Sequence, residues 1–411
     1  MKAYLVGGAV RDTLLGYPVR ERDWLVIGET PESMINSGFI AVGKDFPVFL
    51  HPQTKEEYAL ARTERKTAQG YKGFEVYTAA DVSIEEDLLR RDLTINAMAL
   101  MDNGDVIDPY QGQQDLKKRI FRHVSPAFSE DPVRVLRLAR FCARYQHLGF
   151  TIAAETQQLM SDMVNAGEID ALVSERVWAE TEKALGEQSP AAYFQALKEC
   201  GALARIFPEI DALFGVPQVE KYHPEIDTGI HTLMVLEQAA LLTDNTQVRF
   251  AALTHDLGKA LTKAEILPHH YGHETAGLKP LKKLCKRLRV PRQYQKLAEQ
   301  VTRYHTHSHT AFELKASTVR KFLSSLNAFK ADNQLSLFLL ACEADAKGRL
   351  GFETRAYPQA EYLHQAQLAG MDIDTDSLNL EKLQGKAIGD AINNLRTQKI
   401  QQFKQHFTQQ D

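Results

Sequence analysis

Residues Tyr4–Asp12 read YLVGGAVRD, a short apolar stretch followed by two glycines and then by helix-forming residues. The pattern predicts a β-strand, a turn at Gly7 and Gly8, and a helix that ends near Gly16. Glycines let a backbone approach a phosphate closely, and a helix N-terminus offers free N–H groups. Arg11 would stand one turn into this helix and could reach the same anion. Taken alone, a tight packing turn explains paired glycines more often than a phosphate site does.

The next informative segment is Glu21–Ile27, ERDWLVI. Side chains two positions apart on a strand point the same way. Glu21 and Asp23 would therefore present their carboxylates together, with Trp24 and Val26 on the opposite face. Hard oxygen ligands spaced in this way suit Mg²⁺, which bridges to substrate phosphates. Two surface acids beside neighbouring arginines are the alternative, and the glycine turn upstream favours the metal site.

Two adjacent arginines precede an apolar stretch at residues 90–99, RRDLTINAMA. Burying Arg90 and Arg91 without partners would be costly. A triphosphate is a natural partner, because arginine binds phosphate oxygens in bidentate fashion. Pairing with nearby acids is a serious alternative, above all for Arg90. Those acids are Glu85, Glu86, Asp87 and Asp92.

A longer basic feature follows at residues 130–144, EDPVRVLRLARFCAR. Asp131 is predicted to cap a helix whose first residue is Pro132. At 100° per residue, four arginines share one face of this helix. They are Arg134, Arg137, Arg140 and Arg144. Like charges repel, so a face with four arginines and no interleaved acid favours a bound anion over an ordinary solvated face.

In this order, the segments resemble the class II tRNA nucleotidyltransferase and poly(A) polymerase family. The similarity covers about the first 150 residues and includes ARTER at 61–65 and DPYQGQQDL at 108–116. It implies a Mg²⁺-dependent enzyme that adds nucleotides to the 3′ end of RNA, most closely a CCA-adding enzyme that uses CTP and ATP on tRNA. The family usually has Asp-x-Asp where this chain has Glu21 and Asp23. Glutamate still offers a carboxylate on a longer stem, so we expect activity to survive with altered metal geometry.

The resemblance also assigns roles to individual residues. It implies that Glu21 and Asp23 are catalytic and hold the metal, while Gly8 and Arg11 contact the nucleoside triphosphate. The remaining nucleotide-binding residues would be Arg91, Asp131, Arg134, Arg137 and Arg140.

Two of these residues, Asp131 and Arg134, would read the incoming base in place of a nucleic-acid template. A carboxylate accepts a hydrogen bond from the exocyclic amine of cytosine or adenine, and arginine donates to the neighbouring ring nitrogen. Uracil and guanine present a carbonyl where the amine would be. That carbonyl would leave a buried group unpaired, so UTP and GTP should be rejected.

Histidine is concentrated in one part of the chain, since nine of the fourteen lie between His223 and His309. The segment includes HPEIDTGIHTL at 223–233 and THDLGK at 254–259. Neutral imidazole combined with carboxylate is a ligand set for transition metals. Four further histidines are expected at the surface rather than as ligands: His269, His270, His307 and His309.

These segments resemble the bacterial CCA-adding enzymes that carry an additional HD-type phosphohydrolase domain. The resemblance implies a divalent transition metal, such as Ni²⁺ or Mn²⁺. It also implies hydrolysis of 2′,3′-cyclic phosphates and 2′-phosphates by a metal-activated water. The implied ligands are His231, His255, Asp256, His305 and a distant Asp345.

Composition sets limits on the function. The chain has 411 residues, a formal net charge of −4, and 25% charged and 44% hydrophobic residues. These values are ordinary for a globular protein and argue mildly against coating nucleic acid by charge alone. The basic segment Lys282–Lys296 is explained equally well as a solvated helix face or as an RNA-backbone patch. The four cysteines are widely spaced and predict reduced thiols. We expect no signal peptide, no membrane span and a cytoplasmic location.

The sequence therefore predicts an α+β protein with a small mixed sheet in an N-terminal nucleotidyltransferase palm, followed by helical parts. We expect a head at 1–125, a nucleotide-reading and RNA-binding neck and body at 126–222, an HD domain at 223–330 and a helical tail at 331–411. The expected partners are tRNA, CTP and ATP, with the chain as monomer or homodimer. Three alternatives stay open: a poly(A) polymerase of the same family, an HD phosphohydrolase with an inactive RNA-binding N-terminal half, and a non-catalytic RNA-binding protein.

Overall fold

A computed structural model describes residues 1–19, 21–42, 48–66, 74–77, 81–374 and 384–407. The chain divides into two compact units, Met1–Ile206 and Phe207–Asp411. This division is coarser than the four segments expected from the sequence, which remain a prediction. Within the described ranges, no helix combines the length and apolar character that a membrane span requires.

A seven-stranded mixed sheet opens the first unit. The strands in the described residues are β1 (Lys2–Val6), β2 (Asp23–Ile27), β3 (Ile40–Val42), β4 (Val48–Leu50), β5 (Glu57–Leu60), β6 (Thr63–Lys66), β7 (Phe74–Tyr77), β8 (Ala99–Leu100), β9 (Val106–Ile107), β10 (Ile120–Phe121) and β11 (Thr151–Ile152). The sheet has the order β3-β4-β5-β2-β1-β8-β9. Within the sheet, β2 and β5 are parallel, whereas β1 is antiparallel to both β2 and β8. The predicted α+β class with a small mixed sheet is confirmed.

Residue alternation along β2 places its side chains in two cores, as the period of a strand requires. Leu25 packs with Val6 on one face of the sheet, and Val26 packs with Phe49 on the other. Asp23 is the first residue of β2 and pairs with Val6, the residue that immediately precedes the turn at Gly7. The apolar residues of β1 and β2 thereby fix the acidic residue beside the glycine turn.

The described α-helices of the first unit lie between the strands of this sheet along the chain and, in larger number, after them. They are α1 (Gly8–Leu15), α2 (Pro31–Asn36), α3 (Ile84–Leu89), α4 (Gly112–Lys118), α5 (Val133–Tyr145), α6 (Ala154–Asn165), α7 (Ser174–Leu185), α8 (Ala191–Glu199) and α9 (Ala202–Ile206). Helix α1 ends before Gly16, which adopts a left-handed conformation with φ of 65°, as the sequence predicts. Helix α5 packs its buried apolar face against α7 and α8.

The regular elements that the structure describes in the second unit are all helices, joined by loops. Its helices are α10 (Pro208–Asp211), α11 (Thr228–Leu242), α12 (Thr246–Thr254), α13 (His273–Ala276), α14 (Leu278–Arg287), α15 (Arg292–His309), α16 (Ala316–Ser325), α17 (Leu335–Lys347), α18 (Pro358–Met371) and α19 (Lys386–His406). Helices α11, α12, α15 and α17 pack against one another and carry most of the histidine cluster described below.

Candidate active sites in the two units

One cavity of about 810 Å³ in the first unit is lined by all nine residues that the sequence placed at a nucleotide site. These residues are Gly8, Arg11, Glu21, Asp23, Arg91, Asp131, Arg134, Arg137 and Arg140. The cavity is large enough for a nucleoside triphosphate, since ligand pockets span roughly 300–1,000 Å³. Residues separated by more than a hundred positions therefore share one concave surface.

The glycine turn keeps this cavity open at the start of α1. Gly7 adopts φ of 68°, which glycine accepts without strain, and a Cβ there would lie 3.0 Å from Arg91 Nη1. A Cβ at Gly8 would lie 3.3 Å from Arg11 Nη2. Side chains at these positions would therefore crowd two of the cavity's guanidinium groups.

Arg11 is buried and held in one orientation by side chains from distant segments. Its Nε donates to Asp12 Oδ1 at 2.9 Å and its Nη1 donates to Asn96 Oδ1 at 2.5 Å. Asp12 also accepts from Arg144 Nη2 at 2.9 Å and from the Tyr145 hydroxyl at 2.6 Å. This network links the start of α1 to the end of α5 and positions Arg11 before any ligand arrives.

The acidic pair differs from the prediction in one respect. Strand β2 begins at Asp23, so the expectation that Glu21 lies on the same strand is wrong, although both residues line the cavity. Burial raises the pKa of Asp23 and the carboxylate of Glu21 raises it further, while Arg91 and Arg137 lower it. A divalent cation would stabilise the charge of Asp23, and the Glu21 carboxylate lines the same cavity, so the donor set fits Mg²⁺.

Protein carboxylates partner most of the arginines on α5, which corrects the inference that their repulsion requires an anion. Arg140 Nε donates to Glu180 Oε2 at 2.7 Å, and Arg144 reaches Asp12 as described above. Arg137 Nε donates to Asp92 Oδ2 at 2.8 Å. Because that bond uses Nε, the outer edge of the Arg137 guanidinium can still bind phosphate.

Arg90 and Arg91 both pair with Asp87. Pairing with a nearby acid is the alternative that the sequence left open for these arginines. Arg90 Nη2 lies 2.8 Å from Asp87 Oδ1, and Arg91 Nη2 lies 3.2 Å from Asp87 Oδ2. Burial raises the pKa of Asp87, but the two arginines outweigh burial and lower it. Asp87 therefore stays ionised and anchors Arg91 at the cavity wall.

Asp131 accepts hydrogen bonds from two directions at the start of α5. Its Oδ1 accepts from the Val133 N–H at 3.0 Å, so Asp131 caps the helix as predicted, although the helix begins at Val133 rather than Pro132. Its Oδ2 accepts from Arg176 Nη2 at 2.8 Å. Arg176 and Lys183 line the cavity from α7 and were missed in the sequence. Their spacing of seven residues, which puts them on one helix face, was the available signal.

The second unit gathers a buried cluster of imidazoles and carboxylates. It contains all five residues that the sequence assigned as ligands: His231 on α11, His255 and Asp256 after α12, His305 on α15, and Asp345 on α17. His231 Nε2 lies 3.3 Å from Asp345 Oδ1, and His255 Nε2 lies 3.0 Å from Asp256 Oδ2. His273 joins them, with Nε2 at 3.3 Å from Asp256 Oδ1.

Backbone carbonyls orient these imidazoles. The Nδ1 atoms of His255, His273 and His305 lie 2.7, 2.7 and 3.0 Å from the carbonyl oxygens of Ala252, His270 and Val301. His231 Nδ1 lies 3.0 Å from both the Gly348 carbonyl oxygen and Glu225 Oε1. A proton on Nδ1 leaves Nε2 as the free donor atom, which is the arrangement found in metal-binding histidines.

Unsatisfied atoms at the centre of the cluster show that the residues fit a divalent metal. The Nε2 atoms of His231 and His255 and both carboxylate oxygens of Asp256 are buried, and their close polar contacts, such as that of Lys259 Nζ at 2.6 Å from Asp256 Oδ2, lack hydrogen-bond geometry. Such atoms are costly unless something binds them. Among the described residues, three groups have possible ligand atoms within 4.8 Å of one another: His231, His255 and Asp345; Asp256, His273 and His305; and, to one side, His223, Glu225 and His231.

Charge within the cluster is consistent with this fit. Burial lowers the pKa of His305 to about 3, so its imidazole is neutral near neutral pH. Burial also lowers the pKa of His255, but Asp256 and Asp345 outweigh that effect and raise it. The carboxylates therefore attract positive charge to a place from which water is excluded.

The structure brings in one histidine that the sequence placed at the surface. His309 is only partly exposed, and its Nε2 lies 2.7 Å from Asp345 Oδ2. His305 and His309 are four residues apart on α15 and share a face, a signal that periodicity offered. Lys259, also buried, places Nζ 2.6 Å from Asp256 Oδ2.

Three family models match the chain. The Poly A polymerase head domain matches residues 3–122, and the HD domain matches residues 228–346. Residues 149–214 match a model described as a probable RNA and SrmB-binding site of polymerase A. The range matched by the head domain contains the glycine turn and the acidic pair, and the range matched by the HD domain contains the five residues assigned as metal ligands.

Solved CCA-adding enzymes share the fold. The Thermotoga maritima enzyme complexed with tRNA is 19% identical with a TM-score of 0.63, and the similarity covers 100% of this chain and 88% of that one. The Bacillus stearothermophilus enzyme in complex with CTP is 23% identical with a TM-score of 0.63, covering 96% and 87%. A CCA-adding enzyme in complex with ATP is 19% identical with a TM-score of 0.64, covering 97% and 86%.

Similarity to curated proteins extends over nearly the whole chain. The multifunctional CCA protein of Thioalkalivibrio sulfidiphilus is 60% identical, covering 98% of this chain and 99% of the relative. The multifunctional CCA protein of Methylococcus capsulatus is also 60% identical, covering 98% and 95%. The chain therefore belongs to the family of multifunctional CCA proteins, enzymes that join a nucleotidyltransferase head to an HD domain.

Proposed function

We propose that the first unit adds and repairs the 3′-terminal CCA of tRNA, taking CTP and ATP as substrates and releasing pyrophosphate. The observation that carries this proposal is the single cavity that unites Glu21 and Asp23 with the glycine turn and the arginines of α5. The relatives that are named for CCA, and the solved enzymes in complex with tRNA, CTP and ATP, support it.

Each part of the cavity suits one part of the nucleotide. Gly8 and Arg11, together with Arg91, Arg137 and Arg140, offer close backbone approach and guanidinium groups to the triphosphate. Glu21 and Asp23 would hold Mg²⁺, which lowers the charge barrier to attack by the RNA hydroxyl and to departure of pyrophosphate. Asp12 and Asn96 hold the Arg11 side chain in place while the nucleotide is transferred.

Asp131 and Arg134 suit recognition of the base. Arg134 Nη1 donates to the Ala127 carbonyl oxygen at 2.8 Å, and Asp131 is fixed by Arg176. Both residues are thereby oriented before a base arrives, so discrimination does not depend on ordering flexible side chains. Arg176 serves in this proposal as a positioning residue for Asp131.

Replacing Asp131 with alanine should lower CTP incorporation and reduce the preference for CTP over UTP by at least about tenfold. The alanine variant lacks the carboxylate that accepts a hydrogen bond from the cytosine amine, so CTP binds less well. It also lacks the acceptor that would face the uracil carbonyl unpaired, so UTP is rejected less strongly. Incorporation of each triphosphate measured separately gives the ratio. Asp170→Ala, which alters an exposed carboxylate paired with Arg205, is the matched control. An unchanged CTP-to-UTP ratio in Asp131→Ala would refute the reading role.

The direct test of the transferase proposal supplies each triphosphate separately to a tRNA that lacks its terminal CCA. We expect incorporation of CTP and then ATP, with UTP and GTP rejected. Long A tracts without C would identify a poly(A) polymerase of the same family instead. No incorporation of any nucleotide, with phosphate ester hydrolysis retained, would favour an HD phosphohydrolase with an inactive RNA-binding half.

The second unit supports a metal-dependent phosphohydrolase that acts on 2′,3′-cyclic phosphates and 2′-phosphates. The buried unsatisfied atoms of His231, His255 and Asp256, with His305 and Asp345 beside them, carry this proposal. An imidazole and carboxylate set favours Ni²⁺ or Mn²⁺ over Mg²⁺. Removing such phosphates would restore a free 3′ end for nucleotide addition.

We infer a cytoplasmic enzyme that acts as monomer or homodimer. We also retain the four-part division into head, neck and body, HD domain and tail. The HD family match at residues 228–346 supports the third part, although it extends beyond residue 330 to include Asp345.

A further inference from the structure

A second cavity, of about 450 Å³, lies in the second unit beside the histidine cluster. It is bordered by the end of α15, the residues that follow α17, and the start of α18. Two of its lining residues touch Asp345: His309 Nε2 lies 2.7 Å from Asp345 Oδ2, and Arg349 Nη2 lies 3.6 Å from Asp345 Oδ1. A molecule in this cavity would therefore adjoin the metal ligands without replacing them.

Two guanidinium groups give this cavity a positive charge. The Nε of Arg349 is buried without a hydrogen-bond partner, which marks a donor that lacks an acceptor. Arg355 is exposed, with its guanidinium carbon 5.3 Å from the centre of the Phe352 ring and no ion pair to a described carboxylate. Arginine recognises phosphate oxygens through its planar fork of N–H groups. The pair therefore suits an anion with several oxygen acceptors.

The other side of the cavity is apolar and carries an unused acceptor. Phe312 and Tyr357 present aromatic rings, and the Tyr357 hydroxyl is already engaged, because it donates to Ser308 Oγ at 2.8 Å. Gln359 donates through Nε2 to the His309 carbonyl oxygen at 3.2 Å, while its Oε1 is buried without a partner. Aromatic rings stack on bases, and the amide oxygen can accept from a hydroxyl or an amine.

We propose that this cavity binds the nucleoside phosphate on which the histidine cluster acts, a terminal nucleotide that bears a 2′-phosphate. Arg349 and Arg355 bind the phosphate oxygens, Phe312 and Tyr357 contact the base, and Gln359 Oε1 accepts a hydrogen bond from the nucleoside. The cavity volume falls within the range of small-ligand sites. This inference rests on the proposed phosphohydrolase function and adds the site that selects its substrate.

The binding test uses the full chain loaded with Mn²⁺ and the variant Arg355→Gln, because Arg355 is exposed and touches none of the assigned ligands. The probe is a non-hydrolysable phosphonate analogue of adenosine 2′-phosphate, titrated calorimetrically with CTP in excess to occupy the first cavity. We expect Kd to rise about tenfold, as loss of a charge-assisted contact to phosphate predicts. Arg292→Gln, at an exposed arginine outside the cavity, should leave Kd unchanged.

A kinetic measurement separates this inference from the function on which it rests. With adenosine 2′-phosphate, Arg355→Gln should raise KM by the same factor and keep kcat within about twofold, with metal content unchanged. If wild-type chain hydrolyses the substrate and the variant matches it in both Kd and KM, or if the wild type does not bind the analogue, the cavity assignment is wrong. If Arg355→Gln weakens analogue binding but the wild type hydrolyses no phosphate ester, the cavity assignment stands and the phosphohydrolase proposal fails.

Discussion

Replacing Asp23 with asparagine should reduce CTP and ATP incorporation into a tRNA without its CCA end by at least about a thousandfold. A bound metal supplies several kcal/mol of transition-state stabilisation, and each 1.36 kcal/mol corresponds to about tenfold in rate. The amide keeps the size of the side chain but removes the negative charge that the metal requires. The measurement is single-turnover incorporation of radiolabelled CTP at saturating Mg²⁺.

Three comparisons make this result specific. Asp102→Asn, at an exposed position of the same unit, should retain full incorporation. Glu21→Asp restores the residue that the family usually has and should remain active. Phosphate ester hydrolysis should be unchanged in Asp23→Asn, because the cluster that supports it belongs to the other unit. Near-normal CTP incorporation in Asp23→Asn would remove the acidic pair from the mechanism.

Local features of both sites were predictable from the sequence, because they depend on neighbouring residues. The strand, the glycine turn and the helix end at Gly16 follow from residues 4–16 alone. The arginine face of α5 follows from helical periodicity over thirteen residues. The nine cavity residues lie in these segments, and the resemblance to the tRNA nucleotidyltransferase family supplied their assignment to a nucleotide site.

Tertiary partners could not be predicted, because they come from distant segments. Arg137 pairs with Asp92, 45 positions away, and Arg144 pairs with Asp12, 132 positions away. The sequence shows that each arginine needs a negative partner, but periodicity within α5 cannot say which acid folds against it. This is why a bound anion was inferred where protein carboxylates neutralise much of the charge.

The histidine cluster illustrates the same limit. Adjacent His255 and Asp256 were identifiable as a pair, whereas His309 was assigned to the surface because neighbouring residues do not reveal burial. Its place beside Asp345 depends on the packing of α15 against α17. The Nδ1 contacts to backbone carbonyls, which turn the Nε2 atoms of three histidines toward Asp256, are also visible only in the fold.

Replacing His255 with alanine should have the opposite effect to the Asp23 substitution. It removes a buried imidazole whose Nε2 lies 3.0 Å from Asp256 Oδ2 without hydrogen-bond geometry. A ligand lost from such a site should weaken metal binding by at least about a hundredfold, because changes to outer-shell partners already cost 10–100-fold. Hydrolysis of adenosine 2′-phosphate should fall by at least about a thousandfold. CTP incorporation should stay near the wild-type rate.

Metal content gives a readout that does not depend on turnover. Wild-type chain dialysed against Mn²⁺ or Ni²⁺ should retain metal in elemental analysis, and His255→Ala should lose most of it. His269→Ala, at an exposed histidine of the same unit, should match the wild type in metal content and in hydrolysis. If His255→Ala kept its metal and its hydrolysis, the buried unsatisfied atoms would not be a metal site. If it lost both hydrolysis and CTP incorporation while staying folded, the two sites would not be independent, and the division of labour between the units would have to be abandoned.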